Sequence, residues 1–159
     1  MGGVGRRLAE LGLTLPRPMV PPPEMDYGFA LVRLSGGYAH VSGHGAVDGS
    51  DPLMRGTVGD DLTIEQGYRA ARLAGLSMLA SLDEALGDLD RITGWVRVVG
   101  YVNAMPGFPY TSLAVNGFSD LITDLWGAAG EHARAAPGVV ALPLNLPVVV
   151  EATVEIAHP

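Results

Sequence analysis

The sequence predicts an α+β domain, a mixed sheet with two helices on one face in the order ββ-α-β-α-ββ. Three observations carry this expectation. The segment Thr63–Leu86 repeats apolar residues at helical spacing. Several short β-branched or aromatic runs, above all Trp95–Val102 and Val148–Ile156, are bounded by glycine or proline. The chain has 159 residues, 48 % apolar and 17 % charged, which suits one domain with a single core and excludes a disordered chain.

Each element has a local justification. Residues 6–13 suit a short helix, which the proline-rich stretch Pro16–Pro23 ends. Pro21, Pro22 and Pro23 favour an extended arm, so residues 1–25 read as an N-terminal arm and 26–159 as the domain. Phe29–Leu34 and Tyr38–Ser42 read as strands joined by the hairpin signal Ser35-Gly36-Gly37. Gly43–Gly59, with six glycines or prolines, reads as a loop.

Thr63 followed by Gln66 is a capping box opening the long helix. Its stripe is Tyr68, Ala71, Gly75, Met78, Leu82 and Leu86, with small residues suited to close packing on a sheet. Trp95–Val102 is a strand that Met105–Pro109 breaks, and Thr111–Gly127 is a second helix. Val139–Leu142 and Val148–Ile156 complete the strands, separated by Pro143 and Pro147. A sheet covered on one face has to bury the other, and pairing with copies of itself is one solution.

Composition removes several classes of function. All ten cationic side chains are arginine, so lysine Schiff-base chemistry is excluded. Cysteine is absent, which removes thiol catalysis and thiolate-bound zinc. A net charge of −7 argues against a nucleic-acid partner. No run approaches the roughly 18 apolar residues of a membrane helix, and the N-terminus lacks a cleavage pattern, so a cytoplasmic protein is expected. Phosphate-loop, dinucleotide and metal motifs are missing, and neither cofactor nor metal is expected. His40 and His44 are four apart on strand and loop, where that spacing does not converge on one ion.

Two residues stand out chemically. Arg134, flanked by alanines in His132–Pro143, either pairs with Glu131 or Glu151 or grips a substrate carboxylate through two parallel hydrogen bonds. His44 follows Ser42-Gly43 at a strand end, where functional side chains often sit.

The ordered set Ser42-Gly43, Asn116-Gly117-Phe118-Ser119-Asp120-Leu121, His132-Ala133-Arg134-Ala135, Ala141-Leu142-Pro143 and Val150-Glu151-Ala152 resembles the RidA family. That family is also called YjgF and its members are often labelled endoribonuclease L-PSP. The resemblance covers residues 20–157 and is nearest to longer members with an N-terminal arm. It implies a chorismate-mutase-like fold, homotrimers with sites between subunits, and hydrolysis of reactive imines or enamines to 2-keto acids and ammonia. It further implies Arg134 as carboxylate anchor, with Ser42, Gly43, Phe29, Ala136, Asn116 and Val149 lining the substrate pocket.

The departures from the family pattern matter as much. The water-positioning glutamate of the deaminases is matched by Val149, and the first-strand tyrosine by Phe29. Glu151 shares a face with Val149 but lies about 6–7 Å further along the strand. His44 stands where glutamine is usual, and Pro137 removes a backbone donor beside the pocket. The expected catalytic set is therefore Arg134 with Glu151 or His44 as the proton-transfer group. The expected function is RidA-like hydrolysis of a small carboxylate-bearing imine, enamine or enol. The alternatives are a non-hydrolytic cyclisation or tautomerisation in a water-poor pocket, and a small-molecule-binding protein without turnover.

Overall fold

A computed structural model describes residues 2–25 and 28–157. Met1, Asp26, Tyr27, His158 and Pro159 lie outside the described residues, and with them the ends of the two units expected at 1–25 and 26–159. In chain order the elements are α1 (Gly3–Glu10), β1 (Val32–Ser35), β2 (Tyr38–Gly45), β3 (Val47–Asp48), β4 (Asp51–Pro52) and α2 (Ile64–Leu86). They continue with β5 (Ile92–Asn103), α3 (Thr111–Trp126), β6 (Ala133–Ala135), β7 (Gly138–Val139) and β8 (Val148–Ile156).

The main sheet runs β1-β2-β8-β5-β6, with β7 further along the same edge of β5. β6 and β7 are parallel to β5 and the remaining pairs are antiparallel, so the sheet is mixed. The β1–β2 hairpin closes at Ser35 opposite Tyr38. Gly36 and Gly37 have φ of 58° and 84°, the left-handed pair that a two-residue hairpin turn demands.

α2 opens with the expected capping box: Thr63 Oγ1 accepts from the Gln66 N–H at 3.1 Å, and Gln66 Oε1 accepts from the Thr63 N–H at 2.8 Å. The helix ends at Gly87 with φ 76°. α2 and α3 approach closely because Gly117 faces the Tyr68 carbonyl, where any Cβ would collide with backbone. Both helices cover one face of the sheet. Phe118 and Trp126 each meet Trp95 of β5 edge-on, with centroids 5.7 and 5.5 Å apart. Along β8, Val148, Val150, Ala152 and Val154 are buried, while Val149, Glu151, Thr153 and Glu155 face the other way.

Four expectations are corrected. Among the described residues there are three α-helices: besides the two expected on the sheet, the short helix expected at 6–13 runs over Gly3–Glu10 and sends Val4 and Leu8 into the core. Its N-terminus is capped from a distance by Asp90, whose carboxylate accepts from the N–H groups of Gly3 and Val4 at 2.5 and 2.8 Å. The first strand begins at Val32 instead of Phe29. The loop Gly43–Gly59 contains the end of β2 and the small β3–β4 ribbon. The strand expected at Val139–Leu142 is replaced by β6 and β7, because the edge of β5 is free to pair there and Pro137 interrupts the ladder.

No helix among the described residues is long and apolar enough to cross a membrane.

Candidate functional site

Arg134 leaves β6 at the sheet edge and lies across α3. Its Nη1 donates to Asn116 Oδ1 and to Ser119 Oγ, both at 3.0 Å. Its Nη2 donates to Ser112 Oγ at 2.8 Å and to the Ser112 carbonyl at 3.3 Å. Residues 112, 116 and 119 are spaced i, i+4, i+7, so one polar stripe of α3 receives the whole guanidinium. No carboxylate pairs with it among the described residues, and Glu131 and Glu151 do not. Its Nε–H has no acceptor among the described residues either. Nε and Nη2 form the edge that takes a carboxylate side-on. Partial burial pulls the arginine below its ordinary value, and Asp120 nearby opposes this; the group stays cationic.

Behind Nη1 sits a second layer. His132 Nδ1 is 2.6 Å from the Gly130 carbonyl, which can only accept, so Nδ1 carries the proton in the neutral ring. Nε2 then accepts from Ser119 Oγ at 2.9 Å, and the serine oxygen is left to receive Arg134. Burial first, and the adjacent Arg134 as a lesser cause, hold His132 below the ordinary histidine range. Ser112, Ser119 and His132 were not among the expected site residues. The signal for the serines is the helical spacing with Asn116, readable only once Arg134 is known to lie over that stripe.

The opposite face of the sheet carries the rest. Phe29, Gly43 and Val149 line one cavity of about 350 Å³. Gly43 packs on Val149, where a Cβ would come within 2.8 Å of Cγ1. Ser42 positions the neighbouring chain: its Oγ donates to the Ala30 carbonyl at 2.6 Å and its N–H to the Leu31 carbonyl at 2.9 Å. Glu151 faces a separate polar hollow with Arg33, His40 and Arg97. Partial burial and then Glu151 itself raise the Tyr101 hydroxyl above its usual value. The carbonyl of Ala136 accepts from Thr111 Oγ1 at 2.8 Å, joining the arginine segment to the start of α3.

His44 is placed differently from the expectation that it serves as a proton-transfer group. It is fully buried, with Nδ1 2.7 Å from the Ser42 carbonyl and Nε2 2.9 Å from Ser81 Oγ on α2. The cause is a β-bulge. Val41 pairs with Ala152 and His44 with Val150, so Ser42 and Gly43 together oppose the single residue Glu151. One extra residue inverts the alternation and turns His44 towards the helices. Burial holds it below its ordinary range, and it has no opening to either cavity.

One copy of the chain therefore brings Arg134, Asn116 and Ala136 to the helix side of the sheet edge, and Phe29, Gly43, Val149 and Glu151 to the open face. The two groups are not brought together within a single copy. Among the described residues no cluster of three histidine or acidic side chains could hold a metal ion.

The chain is 37 % identical over 156 residues to Protein TCP17 of Trypanosoma cruzi, covering 98 % of this chain and 95 % of that one. Among solved structures it resembles the protein Atu1372 of Agrobacterium tumefaciens, with 35 % identity, a TM-score of 0.88, and coverage of 98 % and 93 % of the two chains. It also resembles a candidate endoribonuclease of Shewanella oneidensis, with 30 % identity, a TM-score of 0.89, and coverage of 96 % and 99 %. At 18 % identity and a TM-score of 0.57, yeast Mmf1 shares the fold over 90 % of this chain and 94 % of that one. The model of the YjgF/chorismate mutase-like family, whose description also carries an endoribonuclease label, matches residues 9–156, and the chain belongs to that family.

Proposed function

We propose that the protein is an enzyme acting on a small carboxylate-bearing imine or enamine, which it hydrolyses to a 2-keto acid and ammonia. The observation that carries this reading is the guanidinium of Arg134, fixed through Nη1 and lacking a carboxylate partner among the described residues. A substrate carboxylate docks on the Nε–Nη2 edge and exchanges for the long contact to the Ser112 carbonyl. The acid's reactive carbon then projects away from α3, beyond the sheet edge. In a homotrimer it faces the wall of Phe29, Gly43 and Val149 from a neighbouring copy, which completes the site. No cofactor takes part: an enamine first tautomerises to the imine, its β-carbon gaining a proton as the nitrogen loses one; water then adds to the C=N carbon, the nitrogen gains protons, and ammonia leaves as the carbonyl forms. Glu151 shares the face of Val149 but opens on the separate polar hollow about 6–7 Å along β8, so it accepts the proton of that water from a substrate displaced towards it.

A second reading is favoured by one observation, the apolar surroundings of Val149. With a hydrocarbon where a water-positioning carboxylate would stand, the same anchor serves a tautomerisation or cyclisation in which water is kept out.

The test is ammonia release from freshly generated 2-iminopropionate by wild type and by Arg134→Ala. Release above the spontaneous rate that disappears in the variant supports hydrolysis. Conversion without ammonia supports the second reading, and equal activity in both proteins removes the arginine from the site.

A further inference from the structure

The cavity of about 350 Å³ beside Val149 lies within the usual range for small-molecule sites, and its chemistry is one-sided. Among the described lining residues, Ser50 alone has a hydroxyl, amide or charged side chain able to hydrogen-bond. One wall is the N-terminal arm, Met19 to Pro22. Prolines at 21 and 22 carry no N–H, so this wall faces an apolar space without orphaned donors. The arm is also tied down. Val20 N–H donates to the Gly49 carbonyl, and Gly49 N–H to the Arg17 carbonyl, each at 3.1 Å. Arg17 pairs with Asp48 and Asp51 at 3.0 and 2.9 Å.

The facing wall is held in a disfavoured conformation. Leu144 and Asn145 have φ of 57° and 55°, a region asparagine tolerates and leucine avoids. Asn103 keeps the turn in place by donating to Asn145 Oδ1 at 3.2 Å and to the Gly56 carbonyl at 3.1 Å, while Gly56 N–H donates to the Asn145 carbonyl at 2.9 Å. The result of this strain is a leucine side chain presented at the cavity instead of packed into the core. Strain maintained by its surroundings points to a binding role.

We propose that this cavity is a side-chain subsite, walled by the arm and by Leu144, that selects carboxylates bearing a medium-length aliphatic group. The inference rests on the reading of Arg134 as carboxylate anchor, supplied by a neighbouring copy. The arm is then a specificity element: its apolar wall decides which carboxylates are held, and the guanidinium decides only that they are carboxylates.

The experiment is calorimetric titration of the full chain with straight-chain 2-keto acids from pyruvate upward. Affinity is expected to rise about three- to four-fold per added methylene until the cavity fills. Val20→Asp puts a charge in the arm wall and leaves the backbone bond to Gly49 possible; it is expected to flatten the series. Leu144→Gly relieves the backbone strain and is expected to raise Tm while also flattening the series, a combination that a purely structural leucine would not give. Arg134-dependent binding that ignores chain length, or a rising series unchanged in Val20→Asp, overturns the subsite and leaves the anchor standing. If no keto acid binds, hexanamide serves as an uncharged probe. Hexanamide bound by wild type and lost in Val20→Asp sustains the subsite while the anchor falls, and no hexanamide binding overturns the subsite as well.

Discussion

His44 Nε2 and Ser81 Oγ meet at 2.9 Å between β2 and α2, in a part of the core that solvent does not reach. The imidazole donates from Nδ1 to the Ser42 carbonyl, so its second nitrogen has to stay unprotonated to accept from the serine. A proton there would break this arrangement and place a charge in an apolar layer.

Stability is therefore expected to fall as pH drops. Burial lowers the folded-state pKa of His44, and His132 is lowered in the same direction. Above the unfolded value of about 6.5 the two states bind the same protons and stability is full. Below it the unfolded chain takes up protons that the folded chain refuses, and stability declines until the lowered folded values are passed. Thermal melts between pH 8 and 5 should show Tm falling through the acid half. His44→Gln should give a lower Tm with a shallower slope; an unchanged slope would remove His44 as a source.

Arg134→Ala should weaken 2-keto acid binding by about ten-fold or more, since charge-assisted hydrogen bonds contribute about 1.5–3 kcal/mol each. Arg134→Lys should not restore it, because an ammonium cannot span Asn116 and Ser119 while presenting a planar edge to the ligand. Titration beside thermal melts separates anchoring from a purely structural role. Undiminished binding by a folded Arg134→Ala protein would sink the assignment.

Val149→Glu should create or raise ammonia release from 2-iminopropionate, by up to the roughly 10²–10⁴-fold that a positioned acid–base group contributes. The new carboxylate would stand beside Gly43, on the face that already carries Glu151. Unchanged release, with the fold and Arg134-dependent binding intact, would show that the missing glutamate does not limit the protein.

Asp90→Ala should detach the start of α1 and lower stability by about 1 kcal/mol, the usual worth of a helix N-terminal cap. The N–H groups of Val4 and then Gly3 hold the Asp90 carboxyl below its ordinary range. Its contribution is complete above the unfolded carboxylate value of about 3.9 and is lost as pH falls through the lower folded value. Wild type and variant should therefore differ in Tm at pH 7 and converge in strong acid.

How far the sequence could be read depended on how local each cause is. α2 and β8 were legible because capping box, helical stripe and a β-branched run set off by Pro147 each lie within one segment. The edge strands were not: whether Ala133–Ala135 or Val139–Leu142 pairs is decided by β5, some 35 residues away in sequence. The face of His44 depends on a single bulged residue in β2 that opposes β8, and alternation read along β2 alone assigns it wrongly. The oddity of Arg134, a cation flanked by alanines, is legible in its own segment. The serines that aim it belong to a helix facing that segment, and their role emerges only when the two are packed together.

The lengths of the strands have a consequence for how the protein behaves at high concentration. The two longest, β5 with 12 residues and β8 with 9, run through the interior of the sheet. Its margins are β1 with four residues on one side and β6 and β7 with three and two on the other, interrupted by Pro137. Runaway fibril growth needs a long, flat row of unpaired donors and acceptors on which further strands can be laid. These broken margins offer only a few such groups each, so concentrated solutions should resist amyloid-like conversion even though nearly half the residues are apolar.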